Sequence, residues 1–295
     1  MHPMNPTPPD SENASPPPAA PLPDLVSVDV EDYYHLFIDR PRTWDRYPPR
    51  LDRGTRRILD LFDARSVKAT FFVLGAAALR SPEVVRDIHA RGHEIASHGF
   101  GHQLVYRMGR DRFREDARRG KAVLEDMLGI GVRGFRASSF SVTPTTPWFW
   151  EILAEEGYAY SSSVHPVRNF LYGSPASVPV RPHHAGCTGV VEIPVVPGRV
   201  LGLSVPFSGG FYVRFFPGPV LRALARGVRR SGAAVQWYVH SWEFDPEQPR
   251  LPLAPHWKFL RYHRLHATES VMGRILGGRA TSTVGAAAAR FGDAA

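Results

Sequence analysis

From residue 24 onward, short apolar runs alternate with amphipathic stretches. Leu25-Val26-Ser27-Val28-Asp29-Val30 is β-rich, ends in the acids Asp29, Glu31 and Asp32, and reads as a strand. Residues 51–65 carry Leu51, Ile58, Leu59, Leu61 and Phe62 at helical spacing. Ala69 to Leu74 is a buried strand stopped by Gly75, and Ser81-Pro82-Glu83 opens a helix running to Arg91-Gly92, with Ser81 as N-cap. Ile95 to His98 is the next strand. A helix from about Asp111 follows, with Phe113, Ala117, Leu124, Met127 and Leu128 on one stripe. Gly129 to Gly134 turns into a strand end at Phe135-Arg136, and residues 145–157 form a helix capped by Gly157. Val190 to Val195 and Val235 to Val239 are two more strands, separated by a helix over 217–229 whose Val220, Leu221, Leu224 and Val228 face inward. Strand-helix alternation over nearly the whole chain predicts a parallel sheet wrapped by helices, as one α/β barrel-like domain.

Composition narrows this picture. At 295 residues and 43% hydrophobic content the chain has material for a full core. Residues 1–23, rich in Pro, Ala and Ser, read as a disordered tail. The net charge of +8 rests on arginine, since Lys68, Lys121 and Lys258 are the only lysines. No dense basic run or aromatic-basic ladder occurs, which argues against nucleic acid as a partner. Cys187 stands alone, excluding an internal disulfide or a thiolate cluster. No leader-like or membrane-spanning apolar run is visible, so a cytoplasmic location is expected.

The candidate chemistry lies in the stretch Ser97-His98-Gly99-Phe100-Gly101-His102. Two imidazoles four residues apart share a face if the backbone is helical from His98, and can close on one metal ion. A carboxylate must complete such a site. Asp29, His98, Arg136 and His240 each fall at a strand end, and in parallel barrels active sites form where the carboxyl ends of the strands converge.

VSVDVEDYYH, ATFFVLG, SHGFGH, GFRASSF, VEIPV and YVHSWEFDPEQPR come in the order seen in polysaccharide deacetylases with a NodB-homology domain, carbohydrate esterase family four. DVEDYYH, SFSVTP, PFSGGFYVRFFP and the carboxy-terminal DPEQPRL…KFLRYHRL resemble the branch linked to exosortase and exopolysaccharide loci. The resemblance covers about residues 24–290. It implies a single distorted (β/α) barrel domain over 24–292, with a branch-specific extension from about 241. It also implies removal of acetyl groups from N-acetylhexosamine units with a bound divalent metal, zinc foremost, with cobalt, nickel or manganese also suiting. Residue by residue, Asp29 matches the catalytic base, His98 and His102 the metal histidines, Arg136 the arginine that pairs with the base, and His240 the catalytic acid. The metal carboxylate is Glu31 or, if the strand bulges or ends at Val30, Asp32; the spare acid pairs with an arginine such as Arg40 or Arg42. The backbone N–H of Ser139 is placed at the oxyanion. Tyr33, Tyr34 and Trp242, beside these matches, are candidates to stack on sugar rings, whereas Phe140 and Trp148 are expected in the core.

The chain departs from the pattern at Ser138 and Ser241, where the branch has prolines, and at Ser161, where an aspartate is frequent. None of these changes removes a group with a chemical task. The substrate implied is an N-acetylated polysaccharide, with peripheral contact to membrane-bound polysaccharide machinery. The competing readings are a non-catalytic glycan-binding or assembly protein and a hydrolase of small amides.

Overall fold

Strands form where β-branched and aromatic residues alternate, each strand turning one face to helices and the other to a shared interior. The computed structural model describes residues 22–36, 41–167 and 179–292. Residues 1–21 of the expected tail, Arg40 and the side chain of Arg42 lie outside the described residues. The strands are β1 (Asp24–Val30), β2 (Thr70–Val73), β3 (Glu94–Ser97), β4 (Gly134–Phe135), β5 (Tyr160–Ser161), β6 (His183–His184), β7 (Val191–Glu192), β8 (Gly198–Val200), β9 (Leu203–Val205), β10 (Gln236–His240) and β11 (Thr281–Ser282). The helices are α1 (Leu51–Ala64), α2 (Gly75–Arg80), α3 (Pro82–Ala90), α4 (Val105–Met108), α5 (Arg110–Leu128), α6 (Phe149–Glu155), α7 (Gly210–Phe215), α8 (Gly218–Arg230), α9 (Pro255–Tyr262), α10 (Thr268–Leu276) and α11 (Val284–Gly292).

One sheet runs in the order β10-β1-β2-β3-β4-β5-β7-β6, parallel except for β6 against β7. β11 pairs with the start of β1, and β8 with β9 forms a separate hairpin. The sheet is curled but open. Among the described residues no strand pairing joins β6 or β7 back to β10, so the expected barrel is a half-barrel.

Val26, Val28 and Val30 of β1 join Ile58, Leu59, Phe62, Val85 and Ile88 of the surrounding helices in the main core. Each such side chain contributes about 1.5–3 kcal/mol on full burial. The inner face carries Leu25, Phe72, Ala96, Tyr160 and Val191, which pack on Val284 and Ala288 of α11. The carboxy-terminal helix thus fills the end of the half-barrel where the strands begin, and leaves the opposite rim to polar residues.

Several boundaries differ from the sequence reading for local reasons. β2 ends at Val73, ahead of Gly75, which starts α2 directly. Ser81 precedes α3 without a side-chain cap; its carbonyl accepts from the Val84 N–H instead. The helix expected over 145–157 shrinks to α6, because Thr143 and Thr146 bond to each other in a turn first. The strand expected over 190–195 is reduced to Val191–Glu192, with the Ile193 and Val195 N–H groups still donating to Ser161 and Val164 and Pro194 having no N–H to offer. α8 turns Leu221, Leu224 and Val228 inward and leaves Val220 exposed.

Two core histidines set an acid limit on stability. Burial pushes His93 and His165 each down to about 4, and the His93 Nδ1 accepts from the Ala69 N–H. The unfolded chain takes up protons on these imidazoles near their ordinary value of about 6.5, while the folded chain resists until about 4. Stability present above pH 6.5 is therefore lost as pH falls through that window. Thermal unfolding between pH 7 and 4 is expected to show a falling Tm, with a shallower fall in the His93→Gln variant; an equal fall contradicts the assignment.

Candidate active site

Four parallel strands bring their carboxyl ends to one rim. On β1 the inward positions include Ser27 and Asp29, and the register sets His240 of β10 opposite Asp29. His98 follows β3, and Arg136 follows β4, where its N–H donates to the Ser97 carbonyl. The fully buried Arg136 donates through Nη1 to Asp29 Oδ1 at 2.7 Å and Ser27 Oγ at 3.0 Å. Its Nε and Nη2 donate to the carbonyl and hydroxyl oxygens of Ser162, both at 3.0 Å. Its guanidinium lies over the Phe72 ring at 4.0 Å. A buried charge so fully bonded is held in one orientation. Ser163 Oγ accepts from the Ala137 N–H and from Ser161 Oγ, so hydroxyls steady the arginine loop where an aspartate was anticipated.

Glu31, His98 and His102 offer ligand atoms that all lie within 4.8 Å of one another, each side chain buried. The segment after His98 is not helical, contrary to the simplest reading of the spacing. Gly99 at φ +74° and His102 at φ +50° reverse the chain and bring the two rings to 5.4 Å between centroids. Asp116 of α5 pins this turn by accepting from the N–H groups of Phe100 and Gly101 at 2.9 and 2.8 Å. The approach leaves no room for side chains: a Cβ on Gly120 would meet the Gly99 backbone at 2.7 Å.

His98 Nδ1 is 2.8 Å from the Arg136 carbonyl, which fixes the proton there and leaves Nε2 free to ligate. His102 Nε2 is 2.9 Å from Glu31 Oε2, and its buried Nδ1 has no hydrogen-bond partner. Burial lowers the pKa of His98. Burial also opposes charge on His102, but Glu31 outweighs it and raises the value. Burial favours a neutral Glu31, yet His102, His240 and His98 hold its carboxyl well below the usual range. An ionised carboxylate, a neutral imidazole and a second imidazole with an orphaned nitrogen fit a divalent cation.

Asp32 is not part of this group. Its carboxylate accepts from the Tyr33 N–H at 2.8 Å and the Arg50 N–H at 2.7 Å, and burial raises it to about 6. Tyr33 and Tyr34 are also corrected. Both are 1% exposed, stacked edge-to-face on each other and packed against Tyr47, so neither offers a face to a sugar.

His240 is oriented by a pair that sequence reasoning missed. Glu243 Oε2 lies 2.9 Å from His240 Nδ1 and accepts from the His240 N–H at 3.0 Å. Arg214 of α7 donates to Glu243 Oε1 at 2.8 Å, both side chains being fully buried. With Nδ1 so held, Nε2 points to the rim, 3.9 Å from Asp29 Oδ2 and 3.5 Å from Glu31 Oε1. Burial disfavours the charged imidazole, but Glu243, Glu31 and Asp29 outweigh it and push its pKa up to about 9. The only local signal was the His240-x-x-Glu243 spacing of a capping box. At Ser241, Oγ bonds to the Thr55 hydroxyl at 3.0 Å, and its carbonyl lies where a Cβ on Gly54 would come within 1.9 Å.

These groups open onto a cleft of about 200 Å³ that Ser139, Phe140, Phe211, Trp242 and Trp257 help to line. Ser139 sits in a left-handed conformation, φ 54°, inside the short turn after Arg136. Phe140 is buried as expected yet borders the cleft, and Trp148 packs against the main core. The Trp242 ring stacks on His240 and lies 3.9 Å from the Arg261 guanidinium, so it buttresses the imidazole.

Comparison with known proteins gives this geometry a context. Residues 42–161 match the polysaccharide deacetylase family model, and residues 162–287 match a domain of unknown function, DUF3473. The two matches meet inside a single sheet, since β5 pairs with β7. A chitooligosaccharide deacetylase of Sinorhizobium fredii is 32% identical over 112 residues, 38% of this chain and 49% of that protein. A peptidoglycan-N-acetylglucosamine deacetylase of Bacillus cereus is 32% identical over 82 residues, 28% of this chain and 30% of that protein. The chain thus spans half or less of the length of these relatives. A solved Mycobacterium smegmatis structure described as a polysaccharide deacetylase shares the fold, with a TM-score of 0.61 over 93% of this chain and 94% of that chain at 23% identity.

Proposed function

Since residues 42–161 match the polysaccharide deacetylase family model, we propose that the chain is a metal-dependent hydrolase removing N-acetyl groups from N-acetylhexosamine units of an exopolysaccharide or its precursor. The observation that carries this reading is the convergence of Glu31, His98 and His102 with the Asp29–Arg136 pair and His240 at one rim. The names of the relatives, which act on chitooligosaccharide and peptidoglycan N-acetylglucosamine, support the substrate class. The likeness of its motifs to the exopolysaccharide-linked branch supports the narrower assignment, in which a cytoplasmic enzyme would meet membrane-bound polysaccharide machinery.

Glu31, His98 and His102 would hold the cation, with zinc the best match to two imidazoles and a carboxylate. Bound there, it would supply the Lewis acidity that activates a water and polarises the acetamide carbonyl. Asp29 takes the proton of the attacking water: Arg136 occupies Oδ1, and Oδ2 is the oxygen turned toward His240. The Ser139 N–H holds the developing oxyanion. His240, protonated near neutral pH because its pKa is about 9, hands the Nε2 proton to the departing amine.

The carboxylate assignment is checked by metal analysis after dialysis against zinc. Glu31→Gln and His98→Ala are expected to lose the bound equivalent, and Asp32→Asn to keep it. Loss in Asp32→Asn with retention in Glu31→Gln would overturn the ligand set.

A further inference from the structure

Away from the rim, the groove between α8 and α10 joins an apolar floor to an arginine wall. Val213, Phe216, Leu221, Trp237, Val271 and Ile275 line a cavity of about 330 Å³. Arg222, Arg226 and Arg274 edge it. All three are exposed and, among the described residues, make no ion pair or hydrogen bond through their guanidinium groups. By contrast, Arg229 and Arg279 are committed to Asp24. Among the described residues no acidic side chain lines the groove.

A second feature sits on the same helix. The β8–β9 hairpin packs on α8 so closely that a Cβ on Gly198 would meet Leu224 at 2.7 Å. The hairpin holds out Leu201 at its turn, 99% exposed, and Leu203 at the start of β9, 72% exposed, while Val200 beside them and Val220 on α8 are also exposed. Exposed apolar side chains on a hairpin packed against the helix that carries the unpaired cations match a surface that is apolar in depth and anionic at its face. A nucleic acid or an acidic protein would satisfy the arginines but leave the hairpin leucines in water. Inorganic phosphate would leave the apolar floor unused.

We propose that this face seats on an anionic membrane leaflet, with the α8–α10 groove taking the phosphate of a lipid headgroup and the hairpin tip entering the interface. α7 separates the groove from the rim, presenting Val213 to the first and Phe211, Tyr212 and Arg214 to the second. The seat would therefore set a lipid phosphate one helix away from the cleft. The inference stands independently of the chemistry at the rim.

Co-sedimentation of the full chain with phosphatidylglycerol–phosphatidylcholine vesicles tests it, with folding of each variant checked by circular dichroism. Binding to the anionic vesicles and none to pure phosphatidylcholine is expected. R222E/R226E/R274E should weaken binding by roughly a hundredfold, since each arginine near an anionic surface is worth about fivefold. L201S/L203S should weaken it severalfold with no change of charge. R53E/R56E/R86E, the same charge change on exposed positions of α1 and α3, should leave it within about twofold. Soluble dihexanoyl phosphatidylglycerol should displace the protein, and inorganic phosphate at equal concentration should not. No binding to anionic vesicles, an equal loss in the α1/α3 control, an unaffected hairpin variant, or displacement by inorganic phosphate would each overturn the proposal.

Discussion

Asp29→Asn is expected to slow acetate release from N-acetylglucosamine oligomers by about a hundred- to ten-thousandfold, the usual weight of a proton-transfer residue. Metal content should stay at one equivalent, because Asp29 lies outside the group formed by Glu31, His98 and His102. Asparagine keeps the shape of the side chain but cannot take a proton from water. The substitution also leaves the fully buried Arg136 without its anionic partner, although Ser27 and Ser162 still accept from it. Some loss of Tm is therefore expected, and rates should be compared per folded, metal-loaded molecule. A variant that keeps more than a tenth of the activity would remove Asp29 from the role of base.

His240→Gln should produce a loss of similar size that depends on the leaving group. An amine departs poorly without a proton, whereas 4-nitrophenolate departs unaided. Acetate release from the oligomers is thus expected to fall by about a hundredfold or more, with 4-nitrophenyl acetate hydrolysis little changed; Asp29→Asn should depress both. Equal losses on the two substrates would make His240 something other than the acid. Glu243 acts through His240, since it grips Nδ1 and the backbone N–H. Glu243→Gln should lower kcat alone and add little in the His240→Gln background, as expected of residues working as one unit. It will also destabilise the fold, because Arg214 is left buried and unpaired, a change that typically costs about 3–5 kcal/mol.

What could be read in the sequence follows a physical boundary. Asp29, His98, Arg136 and His240 were legible because each closes an apolar strand, and period-two alternation then fixes which face a polar side chain takes. Their shared rim follows from parallel pairing, visible in the strand-helix alternation. The turn after His98 was not legible, because it depends on positive φ at Gly99 and His102 and on Asp116 reaching across from α5. Nor was the Arg214–Glu243 pair, which joins residues 29 apart through the packing of α7 on the end of β10. Proximity to the motifs misplaced Tyr33 and Tyr34, whose turn folds them onto Tyr47 and into the core. Glu31 and Asp32 could be separated only by their partners, the histidines for one and the Tyr33 and Arg50 N–H groups for the other.

The proposed chemistry at the rim depends first on the metal. The decisive measurement is acetate release from N-acetylglucosamine oligomers by metal-stripped protein, with and without added zinc or cobalt, beside the His98→Ala variant. An inert stripped protein, activity restored by the metal, and no restoration in the variant are expected. Release that proceeds undiminished in the stripped protein, or that metal restores equally in His98→Ala, would contradict that dependence.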